Sequence, residues 1–271
     1  MPRWWKWMIA VVTATGLLPL LLVGGCHSVQ NIIAVDESTE IRIGQQAAAD
    51  LEAQYGVLND PVQTARVQRI GRAIAAASTR PQLPWTFRIL NTTSVNALAL
   101  PGGPIYVTRG LLDLGISDSE LAGVLGHEVA HVQNRDSVQA IERSMTYQLL
   151  AALVFGNDNS ALRTAASLAV EYAVRLPRSR EAEHAADALG IRLAFNAGYP
   201  ADGLLLFLER LQALQGTPRA PEWLSTHPLT SERIARVQED VAQVASSPRP
   251  VPVAVFEEEE GGAAVDVEQS P

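Results

Sequence analysis

Leu125-Gly126-His127-Glu128-Val129-Ala130-His131-Val132, written LGHEVAHV, places two histidines four residues apart with a glutamate directly after the first. Upstream, Ser117-Asp118-Ser119-Glu120 has a serine and a glutamate three apart. That is a capping box, and it starts a helix that runs through the quoted stretch. On a helix, positions four apart differ by only about 40° in direction, so His127 and His131 share a face. Two imidazoles so placed can bind one Zn²⁺. Glu128 then lies beside the metal without ligating it, where it can take a proton from an attacking water.

A catalytic zinc needs a third protein ligand and an open position. The stretch Ser179-Arg180-Glu181-Ala182-Glu183-His184-Ala185-Ala186-Asp187 supplies candidates. Glu183 and Asp187 are four apart and share a helical face, so one can ligate while the other orients a metal-bound histidine. Glu181 points about 200° away from Glu183. His184, next to Glu183, reads as helix surface.

The rest of the chain surrounds these two helices. Asp36 to about Tyr55 is helical, and Asp60-Pro61 starts a second helix with Val62, Val67, Ile70 and Ile74 on one face. Trp85 to Ile89 alternates apolar and polar, as a half-buried strand does. Val95–Leu100 and Ile105–Thr108 read as two more strands around the turn Pro101-Gly102-Gly103-Pro104. Helical patterns follow to Phe155, over 161–176, over 179–196, near 201–215 and near 230–245. The expected fold is α+β and predominantly helical, one domain over residues 36–245 with a small antiparallel sheet beside the helix that carries LGHEVAHV.

The chain has 271 residues, 47% of them hydrophobic, and a formal net charge of −8. No basic stripe is present, which argues against a nucleic-acid partner. The single cysteine, Cys26, excludes an internal disulfide and a cysteine-based zinc finger. Residues 1–25 carry Arg3 and Lys6, no acid, and an uncharged run from Trp7 to Gly25. This is an export signal, and Val23-Gly24-Gly25-Cys26 resembles a bacterial lipoprotein signal that would place a lipid on Cys26. An uncleaved inner-membrane anchor formed by residues 7–25 is the competing reading. Residues 26–35 read as a tether. Residues 246–271, with Glu257 to Glu260 in a row, read as a disordered acidic tail.

Taken together, His127-Glu128-x-x-His131 and Glu183-x-x-x-Asp187 resemble the zinc metallopeptidases of the HtpX and CAAX-prenyl-protease type, a gluzincin family. The likeness extends over about Asp36 to Val241. It implies one Zn²⁺ per chain, with Glu183 as third ligand and Asp187 bracing a liganding histidine. Asn96-Ala97-Leu98-Ala99-Leu100-Pro101-Gly102-Gly103-Pro104-Ile105 matches a further family motif. There Asn96, Ala97, Leu98 and Ala99 would form a strand to which an extended substrate adds. Thr226-His227-Pro228 and Arg233 match a downstream segment. It implies a role for His227 as a gating fourth ligand or a transition-state donor, and for Arg233 as a brace of the carboxylates. The likeness is strongest to the periplasmic LoiP- and BepA-like lipoprotein branch, without the helical-repeat domain of the latter. It implies an exported, lipid-anchored endopeptidase at the outer membrane, acting on unfolded or misassembled envelope polypeptides. An assembly factor for outer-membrane proteins, working with the assembly machinery and with minor proteolysis, is the alternative.

Overall fold

The structure is a computed structural model and describes residues 34–156, 159–216 and 221–248. The stretch read as an export signal, Cys26, most of the expected tether and nearly all of the expected acidic tail lie outside the described residues.

The chain opens with α1 (Glu37–Tyr55) and α2 (Pro61–Ala76), capped by the side chains of Asp36 and Asp60. Three short strands follow: β1 (Thr86–Leu90), β2 (Ala97–Ala99) and β3 (Pro104–Thr108). A single turn, α3 (Arg109–Leu112), leads into α4 (Asp118–Asn134), the helix that carries LGHEVAHV. Next come α5 (Asp136–Ser144), α6 (Tyr147–Phe155), α7 (Asn159–Val174) and α8 (Arg180–Asn196). Then α9 (Gly203–Leu214), the turn α10 (Trp223–Thr226) and α11 (Ser231–Ala245) complete the described chain. Among the described residues, no helix is long and apolar enough to cross a membrane.

The expected antiparallel sheet is mixed. Its order is β1-β3-β2, with β2 antiparallel to β3 and β1 parallel to it. The reason is topological. The Pro101–Pro104 turn folds β2 and β3 into a hairpin, and β1 joins the free edge of β3, where its direction matches. Gly102 (φ 71°) and Gly103 (φ 124°) take backbone conformations that side chains disfavour. Buried Glu40 of α1 holds this turn by accepting from the Gly102 N–H, and it also pairs with Arg80.

Two apolar clusters make up the core. One joins α2, β1, α4, α8, α9 and α11 through residues such as Ile70, Phe87, Leu125, Ile191, Phe207 and Val237. The other joins α1, α5, α6 and α7 through Ile43, Leu51, Ile141, Leu153 and Ala165. The helix α4 runs through the middle. Every residue from Glu120 to Val132 is buried, which explains why its sequence is apolar almost all round rather than striped. The capping box is formed as the sequence predicts. The Ser117 side chain accepts from Glu120 N, and Glu120 accepts from Ser117 N at 2.8 Å. Arg210 closes over the same carboxylate at 2.7 Å.

The helices α4 and α8 meet at two glycines. A Cβ on Gly126 would lie 2.5 Å from the Gly190 carbonyl oxygen, and one on Gly190 would lie 2.6 Å from the His127 nitrogen. Only glycine permits this approach, and it sets His127 opposite Glu183 and Asp187.

Candidate metal centre

The face of α4 bearing His127 and His131 meets the face of α8 bearing Glu183 and Asp187, and the residue following α10 closes the group with His227. His127, His131, Glu183 and His227 each offer one ligand atom, all within 4.8 Å of one another, and all four residues are buried. His127 Nε2 is 3.0 Å from His131 Nε2 and 3.0 Å from His227 Nδ1. His227 Nδ1 is 2.9 Å from Glu183 Oε1, which is 3.5 Å from His131 Nε2. Donors bound tetrahedrally at about 2.0–2.1 Å from one centre stand about 3.3 Å apart, so these spacings fit a single metal ion. Nitrogen and carboxylate donors of this kind suit Zn²⁺ and its neighbours.

The candidate ligands are held from behind. Asp187 Oδ1 lies 2.9 Å from His127 Nδ1, and Asp136 Oδ2 lies 2.6 Å from His131 Nδ1. These carboxylates turn the Nε2 atoms inward. Asp136 reaches His131 because α4 ends at Arg135 in the left-handed conformation (φ 60°), which folds α5 back along the helix end. Asp187 is in turn gripped by Arg233, which also reaches Glu183 Oε2 at 2.6 Å.

The electrostatics follow from this packing. Burial would raise the carboxyl of Glu183, but the three histidines outweigh it and hold the group far below the usual carboxylate range. Burial likewise opposes ionisation of Asp187, and Arg233 and His127 prevail and lower it. Burial and the nearby Arg178 push His227 well below the ordinary imidazole value, so it is neutral. His131 moves the other way, since Asp136 and Glu183 overcome burial and Arg178.

Glu128 is fully buried beside the cluster. Its Oε1 lies 3.5 Å from His227 Nε2 and accepts a long bond from Trp223 Nε1 at 3.5 Å, while Oε2 has no hydrogen-bond partner. The Trp223 indole stacks on the His227 ring at 4.3 Å and 13°. His184 stays out of the cluster and accepts from Arg236 on the surface. Asn96, Ala97, Leu98 and Ala99 are all buried, at 3% exposure or less. The α10 segment is tied to the start of that strand, since Trp223 N donates to Val95 O and Ser94 bonds to Glu222. The same segment therefore borders the metal centre and anchors the residues that lead into the strand.

Sequence reasoning missed Asp136, Arg178 and Trp223. Asp136 lies past the end of the helix, where periodicity no longer places it. Arg178 and Trp223 reach the cluster only through tertiary packing. The isolated Trp223 three residues before Thr226-His227-Pro228 was a signal that could have been used.

A buried His/His/Glu donor set with a second glutamate beside it is the arrangement used by hydrolytic metal centres. Residues 61–241 match the model of Peptidase family M48, and the chain belongs to this metallopeptidase family. It is similar to the mitochondrial metalloendopeptidase OMA1 of Schizosaccharomyces pombe, with 29% identity over 204 residues, 74% of this chain and 60% of that protein. It is also similar to the beta-barrel assembly-enhancing protease of Escherichia coli, with 28% identity over 225 residues, 79% of this chain and 45% of that protein. The Arabidopsis thaliana OMA1 metalloendopeptidase is 34% identical over 178 residues. The chain thus spans less than two thirds of the length of these curated relatives.

Proposed function

We propose that this protein is a zinc-dependent endopeptidase of the bacterial envelope, of the periplasmic lipoprotein branch. The observation that carries the reading is the convergence of His127, His131 and Glu183 around one point, with the Glu128 carboxylate adjacent and only partly hydrogen-bonded. His127, His131 and Glu183 would hold one Zn²⁺, which when bound supplies Lewis acidity and makes water nucleophilic near neutral pH.

The protein's own groups do the rest. Glu128 takes the proton from the attacking water and passes it to the leaving amine. Asp187 and Asp136 keep His127 and His131 aimed, and Arg233 keeps Glu183 and Asp187 in place. His227 either occupies the fourth position or donates a hydrogen bond to the developing oxyanion. Ala97–Ala99 is an edge strand of the sheet, to which an extended polypeptide could add as a further strand.

The export signal and Cys26 support a lipid-anchored periplasmic location, at the outer membrane, with unfolded or misassembled envelope polypeptides as substrates. Glu128→Gln against wild type on unfolded casein tests the chemistry, with a loss of at least about a thousandfold expected. Equal cleavage by both would overturn it. A radioactive lipid precursor tests Cys26, and no incorporation would favour the inner-membrane anchor.

One observation favours a second reading. All four ligand residues and the strand are shut off from solvent, as in an assembly factor whose proteolysis is latent. Cell-envelope defects rescued by Glu128→Gln as fully as by wild type would select it.

A further inference from the structure

The helix α6 reads Tyr147-Gln148-Leu149-Leu150-Ala151-Ala152-Leu153-Val154-Phe155, with no charged residue and Gln148 as its one strongly polar side chain. A helix that is apolar all round is normally buried. This one is not. Only Leu150 and Leu153 are buried, where they join the second core cluster with Ile43 and Ile141. Residues advance by about 100° along a helix, so Gln148, Ala151, Ala152 and Phe155 turn to the opposite side. Phe155 is 75% exposed and Tyr147 39%. A helix of this length measures about 13 Å and cannot cross a bilayer core of about 30 Å. It suits lying along a surface.

The place of α6 in the fold says which surface. The described chain enters at Ala34 and is fixed at once. Val35 N donates to Glu142 Oε1 at 2.8 Å, and Arg135 donates to the Val35 carbonyl. Glu142 lies just ahead of α6 in the chain, and the buried Val35 side chain belongs to the same cluster as Leu150 and Leu153. Arg42 of α1 donates to Leu153 O at 3.4 Å. The entry of the chain and α6 therefore lie together on one side of the domain. Cys26 stands nine residues before Val35, and Gly25, the end of the competing anchor, stands ten before it. Nine residues reach at most about 30 Å and ten about 35 Å. Either attachment holds α6 close to the bilayer. Charge agrees with this. From Arg143 to Val170 the chain has two arginines, Arg143 and Arg163, both exposed, and one acid, Asp158, in a chain of net charge −8. Anionic lipid attracts a segment of that sign.

We propose that the outward face of α6 rests on the bilayer that holds the chain's N-terminal segment. Tyr147 and Phe155 enter the interfacial layer, where aromatic side chains are favoured. This rests on the reading of residues 1–26 as a membrane attachment and is independent of the metal centre. The second contact fixes which side of the domain faces the lipid.

The test puts the photoreactive aromatic p-benzoylphenylalanine in place of Phe155, of Tyr147 or, as a control, of Val62, an apolar side chain 77% exposed on α2. The full chain is made in bacteria with radiolabelled phospholipid, and intact envelopes are irradiated. Crosslinks to phospholipid are expected from the Phe155 and Tyr147 positions and not from Val62. Crosslinks from Phe155 to a second copy of the chain or to another polypeptide, with none to lipid, would overturn the proposal. So would lipid labelling at Val62 equal to that at Phe155. Fractionation decides the attachment separately. A chain that washes off as soluble protein would overturn the reading of residues 1–26 alone. The same variants, irradiated with vesicles of phosphatidylethanolamine and phosphatidylglycerol, would then decide α6. Lipid crosslinks stronger at Phe155 than at Val62 would uphold the contact, and their absence would overturn it. Thermal unfolding midpoints show that each variant is folded.

Discussion

Arg233 holds Asp187 through two parallel hydrogen bonds, Nε to Oδ2 at 2.7 Å and Nη2 to Oδ1 at 2.8 Å, and all of these atoms are buried. The guanidinium therefore does more than balance charge. It fixes the plane of the carboxylate that backs His127, while its Nη1 reaches Glu183. A lysine cannot span both carboxylates in this way. Arg233→Lys is expected to lower metal affinity about ten- to a hundredfold, measured by competition with a chelating dye. Arg233→Met leaves two buried carboxylates without their cation, and urea unfolding should show a loss of about 3–5 kcal/mol. Unchanged affinity in Arg233→Lys would mean that Arg233 serves packing alone.

Glu183 is the one carboxylate in the proposed donor set, so its removal separates ligation from bracing. Glu183→Ala should carry far less than one zinc per chain after dialysis, as read by elemental analysis, whereas wild type should hold one. Chelation should also lower the thermal midpoint of wild type, because a metal bound only by the folded state stabilises it by mass action. In Glu183→Ala the midpoint should not respond to chelator. Equal zinc in both proteins would remove Glu183 from the site.

Much of this centre is legible in the sequence because its parts lie on helices. The i, i+4 spacings of His127/His131 and Glu183/Asp187 fix the faces, and the capping box at Ser117 fixes where α4 starts. Periodicity cannot say how two helices approach. The mixed sheet escaped for that reason, since the parallel pairing of β1 with β3 depends on which edge of a hairpin is free. Arg178 escaped for another. In sequence it is one more arginine before a helix, and its contact with His227 exists only in three dimensions.

The contact between Gly126 and Gly190 carries the approach of α4 to α8. A methyl at Gly190 would meet backbone atoms of Gly126 and His127, which cannot rotate away. Gly190→Ala must push the helices apart, at about 1–3 kcal/mol or more. The displacement falls on the line between the histidines and Glu183. Zinc affinity should therefore fall more than in a control such as Ala185→Gly, also on α8, whose cost is that of a helical glycine, about 1 kcal/mol. Chelator competition and urea unfolding on both variants measure the two effects. Gly190→Ala with wild-type affinity would show that the site does not depend on the closeness of these helices.

Glu120 links the start of the same helix to pH. It accepts from Ser117 N and from Arg210, and these bonds outweigh the opposing effect of burial and lower its carboxyl below the ordinary value of 4.5. The folded state therefore favours the ionised form. Its contribution is fully present above about pH 4.5 and is lost as the pH falls below that toward the lowered folded value. Glu120→Gln should destabilise the protein by about 1–2 kcal/mol at pH 7. The gap between the variant and wild type should shrink steadily below about pH 4.5, as wild type gives up what the variant never had. Urea unfolding of both proteins at pH 7, 5, 4 and 3.5 measures this. A gap that stayed constant down to pH 3.5 would show that the lost stability comes from packing and not from the charge of Glu120.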